Sequence, residues 1–243
     1  MVEGQVFSTP KEQLQDIIKN GVVVDIFEID ELLSLGELIS EEAERINAAE
    51  FGIFFGSLQN YFHHYLILQA ARIFEEKDRK FPTRSIPAAF LILRDNAETL
   101  EIEQRPSVLR ALVRYGALAS ESSQLTDKDI TLTIVEYFEQ RLSTMHPEGI
   151  NNAKALFAIK KIRCKKVVHP EAIAPDKLPS VTFSDIINLV SLAKQFVGIV
   201  GIGYFTSIYE DYNGRYTLSN DAKRSTDCLR KLLNKADVLS NEK

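Results

Sequence analysis

The sequence FGIFFGSLQNYFHHYLILQAARIFEEKDRK, residues 51–80, shows the strongest helical pattern of the chain. Its apolar side chains recur at alternating spacings of three and four residues, in the order Phe51, Phe54, Leu58, Tyr61, Tyr65, Leu68. This spacing is typical of one continuous stripe on an α-helix. A second apolar face carries Phe55, Phe62, Leu66 and Ile73. Because a helix that is apolar on two faces is covered from both sides, we predict that this helix lies at the centre of a bundle.

Capping signals predict another helix on the N-terminal side of this stretch. Thr9 is a helix-capping residue, Pro10 suits the first helical position, and Glu12 would complete a capping box. The pair Asn20-Gly21 is a stop signal, so we expect the first helix to end there.

Further helices are predicted on both sides of residues 51–80. The segment from Val22 to Asn47 is expected to be helical, although its β-branched beginning, Val22 to Phe27, also fits a short strand. Later helices are predicted to begin near Ser85, Arg105, Thr126, Asn151 and Val181. With roughly eight helices and little convincing strand, the sequence predicts an all-α helical bundle.

The composition is that of a globular protein. The chain has 243 residues and a net charge of −5, so any contact with RNA must be local. Its two cysteines, Cys164 and Cys228, do not form a disulfide framework or a zinc cluster, which favours a reducing compartment. Residues 1–11 lack the pattern of a signal peptide, so we expect a cytoplasmic protein. We predict neither a metal nor a cofactor.

The most apolar stretch is the segment from Ile186 to Ile208. A membrane span needs about 20 largely uncharged residues, and Lys194 and Gln195 divide this segment into shorter runs. We therefore predict a buried helix and no membrane contact. Its closely spaced glycines are expected to let another helix approach, and they are Gly198, Gly201 and Gly203.

One basic segment combines histidine, arginine and dense positive charge: KKIRCKKVVHP, residues 160–170. Its cations are Lys160, Lys161, Arg163, Lys165 and Lys166. An anion such as phosphate explains a local positive field in an acidic protein. The solvated C-terminus of a helix is the other explanation, because cations suit that end of the helix dipole.

The geometry of this segment sets a condition on any shared site. Pro170 disfavours helical backbone at His169, so the helix that starts at Asn151 is expected to stop near Val168. On an ideal helix, residues six apart point in different directions and lie about 9 Å apart along the axis. Arg163 and His169 therefore converge only if the helix breaks or if a second copy supplies the partner. Either Glu171 or Asp176 could orient the imidazole.

The arginine, five intervening residues and histidine resemble the signature of the HEPN superfamily, the "higher eukaryotes and prokaryotes nucleotide-binding" domains. The flanking pattern is most similar to the AbiU-like abortive-infection branch. There a long earlier helix carries an Ala-Arg-Ile/Leu-Phe run, as at residues 71–74 here. The resemblance covers the middle and late parts of the chain. Cys164 differs from the polar residue that usually follows the arginine.

This resemblance implies an all-helical HEPN-type domain and a metal-independent endoribonuclease that acts in phage defence or a toxin–antitoxin system. His169 would be the general acid or base and Arg163 would bind the phosphate. Lys160, Lys165 and Lys166 would hold flanking RNA phosphates. The family motif lies at a dimer seam, which implies a homodimer. An antitoxin or regulatory protein would be a further partner.

Other interpretations of the same residues remain open. Arg163 could form a structural ion pair, and His169 could be a loop histidine. The chain could then be a non-catalytic helical dimer that acts as a binding or regulatory partner, which the Cys164 departure favours. A helper of a nucleotidyltransferase is a third interpretation, supported by analogy alone.

The predicted organisation is an N-terminal helical extension, residues 1–48, followed by a HEPN-like helical domain, residues 49–243. Within the central helix, His63 and His64 point about 100° apart and cannot both bind one metal, so a partly buried polar pair is expected. Arg72 lies on the line of the first apolar stripe, where it should pair with a carboxylate or face a site.

Overall fold

The computed structural model describes residues 7–76, 83–121, 124–143, 151–168, 179–211 and 213–239. These residues form helices and no β-strand, which confirms the predicted all-α fold. In chain order the α-helices and π-helical turns are α1 (Pro10–Ile17), a π turn (Ile18–Val22), α2 (Val23–Glu41), α3 (Ala43–Ala48), α4 (Gly52–Ile73), α5 (Ile86–Asp95), α6 (Arg105–Arg114), α7 (Asp127–Ser143), α8 (Asn152–Ile162), a π turn (Arg163–Val168), α9 (Phe183–Phe205), α10 (Ser219–Ala222) and α11 (Arg224–Lys235).

The predicted stop at Asn20-Gly21 is wrong, because α1 continues through a π turn into α2. Gly21 is buried in this turn, and a Cβ added to it would clash with Arg84 ahead of α5. The glycine therefore serves a close approach between two segments rather than a helix end. The strand alternative for Val22 to Phe27 is also wrong, since these residues are helical.

The caps were predicted more accurately than the stops. Thr9 accepts a hydrogen bond from the Glu12 backbone N–H at 3.1 Å, as expected, whereas the Glu12 carboxylate accepts from the Ser8 N–H at 2.9 Å instead of closing a capping box with Thr9. Ser85 caps α5, and Thr182 and Asp185 form a full capping box at α9. Local side-chain chemistry thus identifies where these helices begin.

The prediction that α4 is buried on two faces is wrong for the first of them. The buried face carries Phe55, Leu66, Ala70 and Ile73 and is packed among α2, α3, α8 and α9. The stripe that contains Phe54, Tyr61 and Tyr65 is exposed instead. Helical spacing identified both apolar faces of α4. Among the described residues, however, other helices cover only one of them.

The prediction of a buried helix in the segment from Ile186 to Ile208 is confirmed, and the main core lies around this helix, α9. Phe196 on α9 makes edge-to-face contacts with Phe90 on α5 and Phe138 on α7, at centroid distances of 5.2 and 5.3 Å. Tyr204 is fully buried and its hydroxyl hydrogen-bonds that of Thr131 at 2.7 Å. By length and composition α9 could cross a membrane, but 67% of its apolar window is buried within the bundle.

The glycines of α9 face two different neighbours. At Gly203 an added Cβ would come within 2.8 Å of Val108 on α6, which is the helix approach that was predicted. At Gly198 and Gly201 the neighbour is instead the chain that returns after α9, through Glu210 and Tyr209. The glycine spacing indicated close packing correctly, but two of its three partners belong to a loop.

The N-terminal helices contribute to the same core as the rest of the chain. Leu14, Ile18 and Ile26 belong to one cluster with residues of α4, α5 and α9. A second, smaller cluster joins α2, α3, the start of α4 and the C-terminal segment through Ile39, Ile46, Phe55 and Leu233. The predicted boundary after residue 48 falls between α3 and α4, and the division into extension and domain stays a prediction.

Candidate functional site

The basic segment begins on α8, whose start is fixed by two adjacent asparagines. Asn151 caps the helix by accepting the Lys154 N–H at 2.8 Å. The buried Asn152 donates to the Arg141 backbone carbonyl at 2.8 Å, which ties α8 to the last turn of α7. The inward face of α8 carries Ala155, Ala158, Ile159 and Ile162. This burial leaves Lys160, Lys161 and Arg163 on the outer faces.

Two of these cations are held by consecutive carboxylates just beyond α4. Arg163 donates from Nη1 to Glu75 at 2.8 Å, and Lys160 donates to Glu76 at 3.0 Å. The Arg163 side chain is 26% exposed and that of Glu75 is 37% exposed. The ion pair is therefore half-buried, and solvent reaches part of each side chain. Ion pairs that solvent can reach contribute about 0–1 kcal/mol to stability.

The backbone around Glu75 is itself fixed. The Ser85 hydroxyl donates to the Glu75 carbonyl at 2.6 Å, while its oxygen accepts the Ala88 N–H at the start of α5. The Glu75 N–H donates to the Arg72 carbonyl at 3.2 Å. Glu75 is thus held between the ends of α4 and α5, so its carboxylate fixes the Arg163 guanidinium against a rigid part of the molecule.

The helix changes character at Arg163. The regular α-helix ends at Ile162, and residues Arg163–Val168 form a π turn. π turns are rare and are often found at functional sites. On an ideal helix the Arg163 and His169 side chains would point in different directions, so they can meet within one chain only if the helix is interrupted. The π turn is a departure from the ideal α-helix that begins at Arg163.

Part of the predicted site lies outside the described residues. His169, Glu171 and Asp176 fall there, and for Lys166 the structure describes the backbone alone. Lys165 is half-buried and interacts with neighbouring residues, and Cys164 is exposed with a free thiol. The structure thus places Arg163 beside Lys160 and Glu75, and the meeting of Arg163 with His169 stays a prediction.

The polar residues of α4 have structural partners. Arg72 pairs with Asp25 at 3.3 Å and donates to Gln69 at 2.9 Å, which agrees with the expectation of a carboxylate partner. His63 lies against the Phe183 ring at a centroid distance of 5.4 Å. No cluster of three or more His, Cys, Asp or Glu residues suited to a metal ion occurs in the described part of the chain.

A groove between α2 and α4 is the largest of the cavities described here, at about 660 Å³. Leu32, Leu33 and Gly36 form one wall, and Phe183 and Ile187 of α9 close one end. No sequence pattern indicated this groove, because one end of it is closed by α9, which is more than 100 residues away from α2 and α4 in the chain. Its apolar lining with a polar rim suits an apolar ligand.

A buried carboxylate under the loop after α9 was also missed. The Glu210 side chain is 7% exposed, accepts hydrogen bonds from the Tyr115 hydroxyl and from Arg114, and lies over Gly198. Burial raises the pKa of the Glu210 carboxyl, against the lowering effects of the Tyr115 hydrogen bond and of Arg114. The glycine at position 198 was the available sequence signal.

The tyrosine-rich segment forms the edge of the core rather than a free aromatic surface. Tyr204 is buried, and Tyr209 stacks on Tyr216 at a centroid distance of 6.4 Å and an interplanar angle of 19°. Tyr216 faces Glu210 across an isolated antiparallel bridge. Tyr212 lies outside the described residues. Because the Tyr204 ring is fully buried, it cannot stack on a nucleic-acid base.

Comparison of the chain with protein-family models, curated proteins and solved structures finds no match in any of the three.

Proposed function

We propose that this chain is a metal-independent endoribonuclease of HEPN type, acting in the cytoplasm in phage defence or a toxin–antitoxin system. The observation that carries the proposal is the half-buried guanidinium of Arg163, at the point where α8 passes into a π turn. Its partly exposed pairing with Glu75 can be exchanged for a phosphate, which accepts two parallel hydrogen bonds from a guanidinium. Lys160 is beside it to hold a neighbouring phosphate.

The proposed reaction uses the ribose 2′-hydroxyl as the nucleophile, so the substrate is RNA. Its oxygen forms a bond to the adjacent phosphorus, and the bond from phosphorus to the 5′ oxygen of the next nucleotide breaks. His169 accepts the proton of the 2′-hydroxyl, and the imidazolium that forms donates a proton to the leaving 5′ oxygen. Arg163 stabilises the charge on the phosphate. The products are a 2′,3′-cyclic phosphate and a 5′-hydroxyl.

A non-catalytic role as a helical binding partner is the second candidate. One observation favours it: Arg163 and Lys160 both form ion pairs within the chain, so two of the cations of the basic segment already have carboxylate partners. In this case the ion pairs would fasten α8 to the end of α4, and a partner protein would be the functional ligand.

The two candidates differ in an RNA cleavage assay in EDTA with single-stranded and structured RNA. If the chain is the proposed nuclease, the RNA is cleaved in the presence of EDTA and the products carry cyclic phosphate ends. This cleavage is lost in Arg163→Ala and in His169→Ala. Arg94→Ala is the control, because Arg94 forms an ion pair of the same type, more exposed, with Glu139 at 2.6 Å on other helices. Thermal melting of each variant separates loss of activity from loss of fold.

Three results would count against the proposed nuclease. Folded wild type that leaves every RNA intact favours the binding role. Cleavage that persists in folded His169→Ala assigns the activity to a contaminant or to another site. A large drop in melting temperature for His169→Ala would make the histidine structural.

A further inference from the structure

The outward face of α4 carries several large apolar side chains, with the exposed polar residues Ser57 and Asn60 between them. Ile53 is 90% exposed, Tyr61 68%, Phe54 63%, and Phe51 and Tyr65 are each 43% exposed. Spacings of seven and eleven residues place Phe54, Tyr61 and Tyr65 on one line, with Phe51 and Ile53 on either side of it. We name these five residues the α4 face. Contiguous apolar patches on soluble proteins mark binding surfaces.

The five residues of the α4 face carry no formal charge, although the Glu28 carboxylate of α2 accepts a hydrogen bond from the Tyr65 hydroxyl at 3.0 Å at one end of the face. The lack of charge on the face restricts its partner. From Phe51 to Ala71 the sequence contains no Asp, Glu, Lys or Arg, in a chain of which 26% is charged. A nucleic-acid strand requires cations along its path to neutralise phosphates, and this helix provides none there. A charged protein surface would lose hydration without gaining an ion pair. An uncharged apolar surface fits, and the α4 face of a second copy is one.

The size of the α4 face also suits a dimer. If a fully exposed aromatic or isoleucine side chain offers about 150–250 Å², the exposed fractions amount to roughly 600 Å² for each copy. Two copies would bury about 1,200 Å², which is the lower end of the range for specific protein interfaces. A two-fold contact also needs one self-complementary surface instead of two different ones.

We propose that two copies of this chain associate through the α4 face, with their α4 helices antiparallel about a two-fold axis near Tyr61. In a parallel arrangement the Arg72 side chains of both copies would meet, and their like charges would repel. In the antiparallel one they lie about 16 Å from the axis on opposite sides. Arg163, bound to Glu75 beyond the end of α4, is then about 20 Å from the axis.

This arrangement gives two separate basic segments, unlike the shared seam that the family resemblance implies. It does not rest on the proposed nuclease, because the α4 face would associate whether or not Arg163 and His169 cleave RNA. An assembly measurement and a cleavage measurement can therefore fail independently.

The test is the molar mass in solution, by size-exclusion chromatography with light scattering. Wild type is expected at twice 27.5 kDa and the double variant Ile53→Glu/Phe54→Glu at 27.5 kDa. Both positions are exposed, so the variant should retain its circular dichroism spectrum. The matched control is Leu232→Glu on α11, which alters an apolar residue that is 61% exposed and lies off the α4 face. It should remain a dimer.

The orientation is tested by disulfide cross-linking, with Cys164 and Cys228 replaced by serine. A two-fold axis near Tyr61 predicts that Tyr61→Cys forms a cross-linked dimer and that Arg72→Cys does not, because the Cα atoms must lie within about 7 Å. Equal cross-linking at both positions would show a parallel arrangement and overturn the proposed geometry, as would cross-linking at neither position.

The association itself is wrong if wild type has the monomer mass, or if the double variant keeps the dimer mass. If wild type is monomeric and Tyr61→Ala loses affinity for single-stranded RNA in fluorescence anisotropy, the α4 face is an RNA surface and the dimer is rejected. If the Leu232→Glu control also dissociates, the effect of added charge is general and the α4 face is not the interface.

Discussion

At the scale of single residues, two buried aspartates on α2 show that the effect of a buried carboxylate on stability depends on its hydrogen-bond and ion-pair partners. Asp25 pairs with Arg72 at 3.3 Å, but its Oδ1 atom is buried and forms no hydrogen bond among the described residues. Asp30 accepts from Lys194 and from Ser219, both at 2.6 Å. Burial raises the pKa of Asp25 to about 6, more than the Arg72 charge lowers it.

The raised pKa predicts how the stability depends on pH. The folded state holds a proton on Asp25 that the unfolded state releases near pH 4, so stability falls as the pH rises from about 4 to about 6. The ionised carboxylate then costs at most about 3 kcal/mol near neutral pH. We expect Asp25→Asn to raise the urea midpoint near pH 7 and to change it little near pH 4.

The contrasting variant is Asp30→Asn, which leaves the half-buried Lys194 without its carboxylate partner. It should lower the free energy of unfolding by about 2–3 kcal/mol at neutral pH. A loss of stability for Asp25→Asn at pH 7 as large as that for Asp30→Asn would show that the Arg72 ion pair outweighs the burial of the Asp25 carboxylate.

Gly198 is a second residue at which the effect of a substitution on stability follows from one neighbour, Glu210. An added Cβ would come within 2.6 Å of the Glu210 Cδ atom, which is held by Tyr115 and Arg114. We therefore expect Gly198→Ala to lower the free energy of unfolding by about 1–3 kcal/mol. Gly36 on α2 has no atom within 4 Å of its Cβ position, so Gly36→Ala should raise it by about 0.5–1 kcal/mol. Urea unfolding measures both, and equal shifts would contradict this explanation.

At the scale of elements, the starts of helices could be predicted because a cap is local. The Thr9, Ser85 and Thr182 side chains bind backbone groups three residues further along, within the reach of a sequence pattern. The continuation through Gly21 could not be predicted in the same way. It depends on Arg84, which lies on another segment and brings its backbone against the turn.

The candidate site, like the helices, could be predicted only where its features are local in the sequence. The cations of α8 and their place near a helix end follow from the sequence, whereas the carboxylates that bind them do not. Arg163 and Glu75 are separated by 88 residues, and Lys160 and Glu76 by 84. Nothing in the pattern of the basic segment indicates that the end of α4 would approach it.

The junction of α4 and α8 gives a prediction about RNA. Glu75 competes with a phosphate for the Arg163 guanidinium, so Glu75→Gln should free that guanidinium and remove a charge that repels RNA. An ion pair that solvent can reach contributes about 0.2–1 kcal/mol, which corresponds to roughly 1.4- to fivefold tighter RNA binding in fluorescence anisotropy.

Glu139→Gln is the control for this junction, because Glu139 binds Arg94 through an ion pair of the same type, more exposed, on other helices. It should leave RNA affinity unchanged. Weaker binding in Glu75→Gln would indicate that the carboxylate positions Arg163 for the phosphate rather than competing with it.

At the scale of the whole molecule, hydrophobic periodicity identified the apolar faces of the helices but not which of them a single chain covers. The α9 helix is enclosed because α5, α6 and α7 pack around it. The face of α4 with Phe54, Tyr61 and Tyr65 has the same periodicity and is exposed, because α2, α3, α8 and α9 all lie on its other side. Whether an apolar helix face is buried depends on the number and order of the other helices, and this cannot be predicted from a local sequence pattern.

An exposed face of this kind makes the melting temperature depend on concentration if a second copy covers it. Association adds to the stability of the folded state alone, so a hundredfold rise in protein concentration stabilises a dimer by about 2.7 kcal/mol, or about 1.4 kcal/mol for each copy. For a chain of this length that raises the melting temperature by roughly 3–5 °C. The Ile53→Glu/Phe54→Glu variant should melt at one temperature throughout the same range, since its folded copies do not associate. Differential scanning calorimetry at the two concentrations measures the shift, and a wild type as insensitive as the variant would mean that the α4 face is solvated in the folded protein.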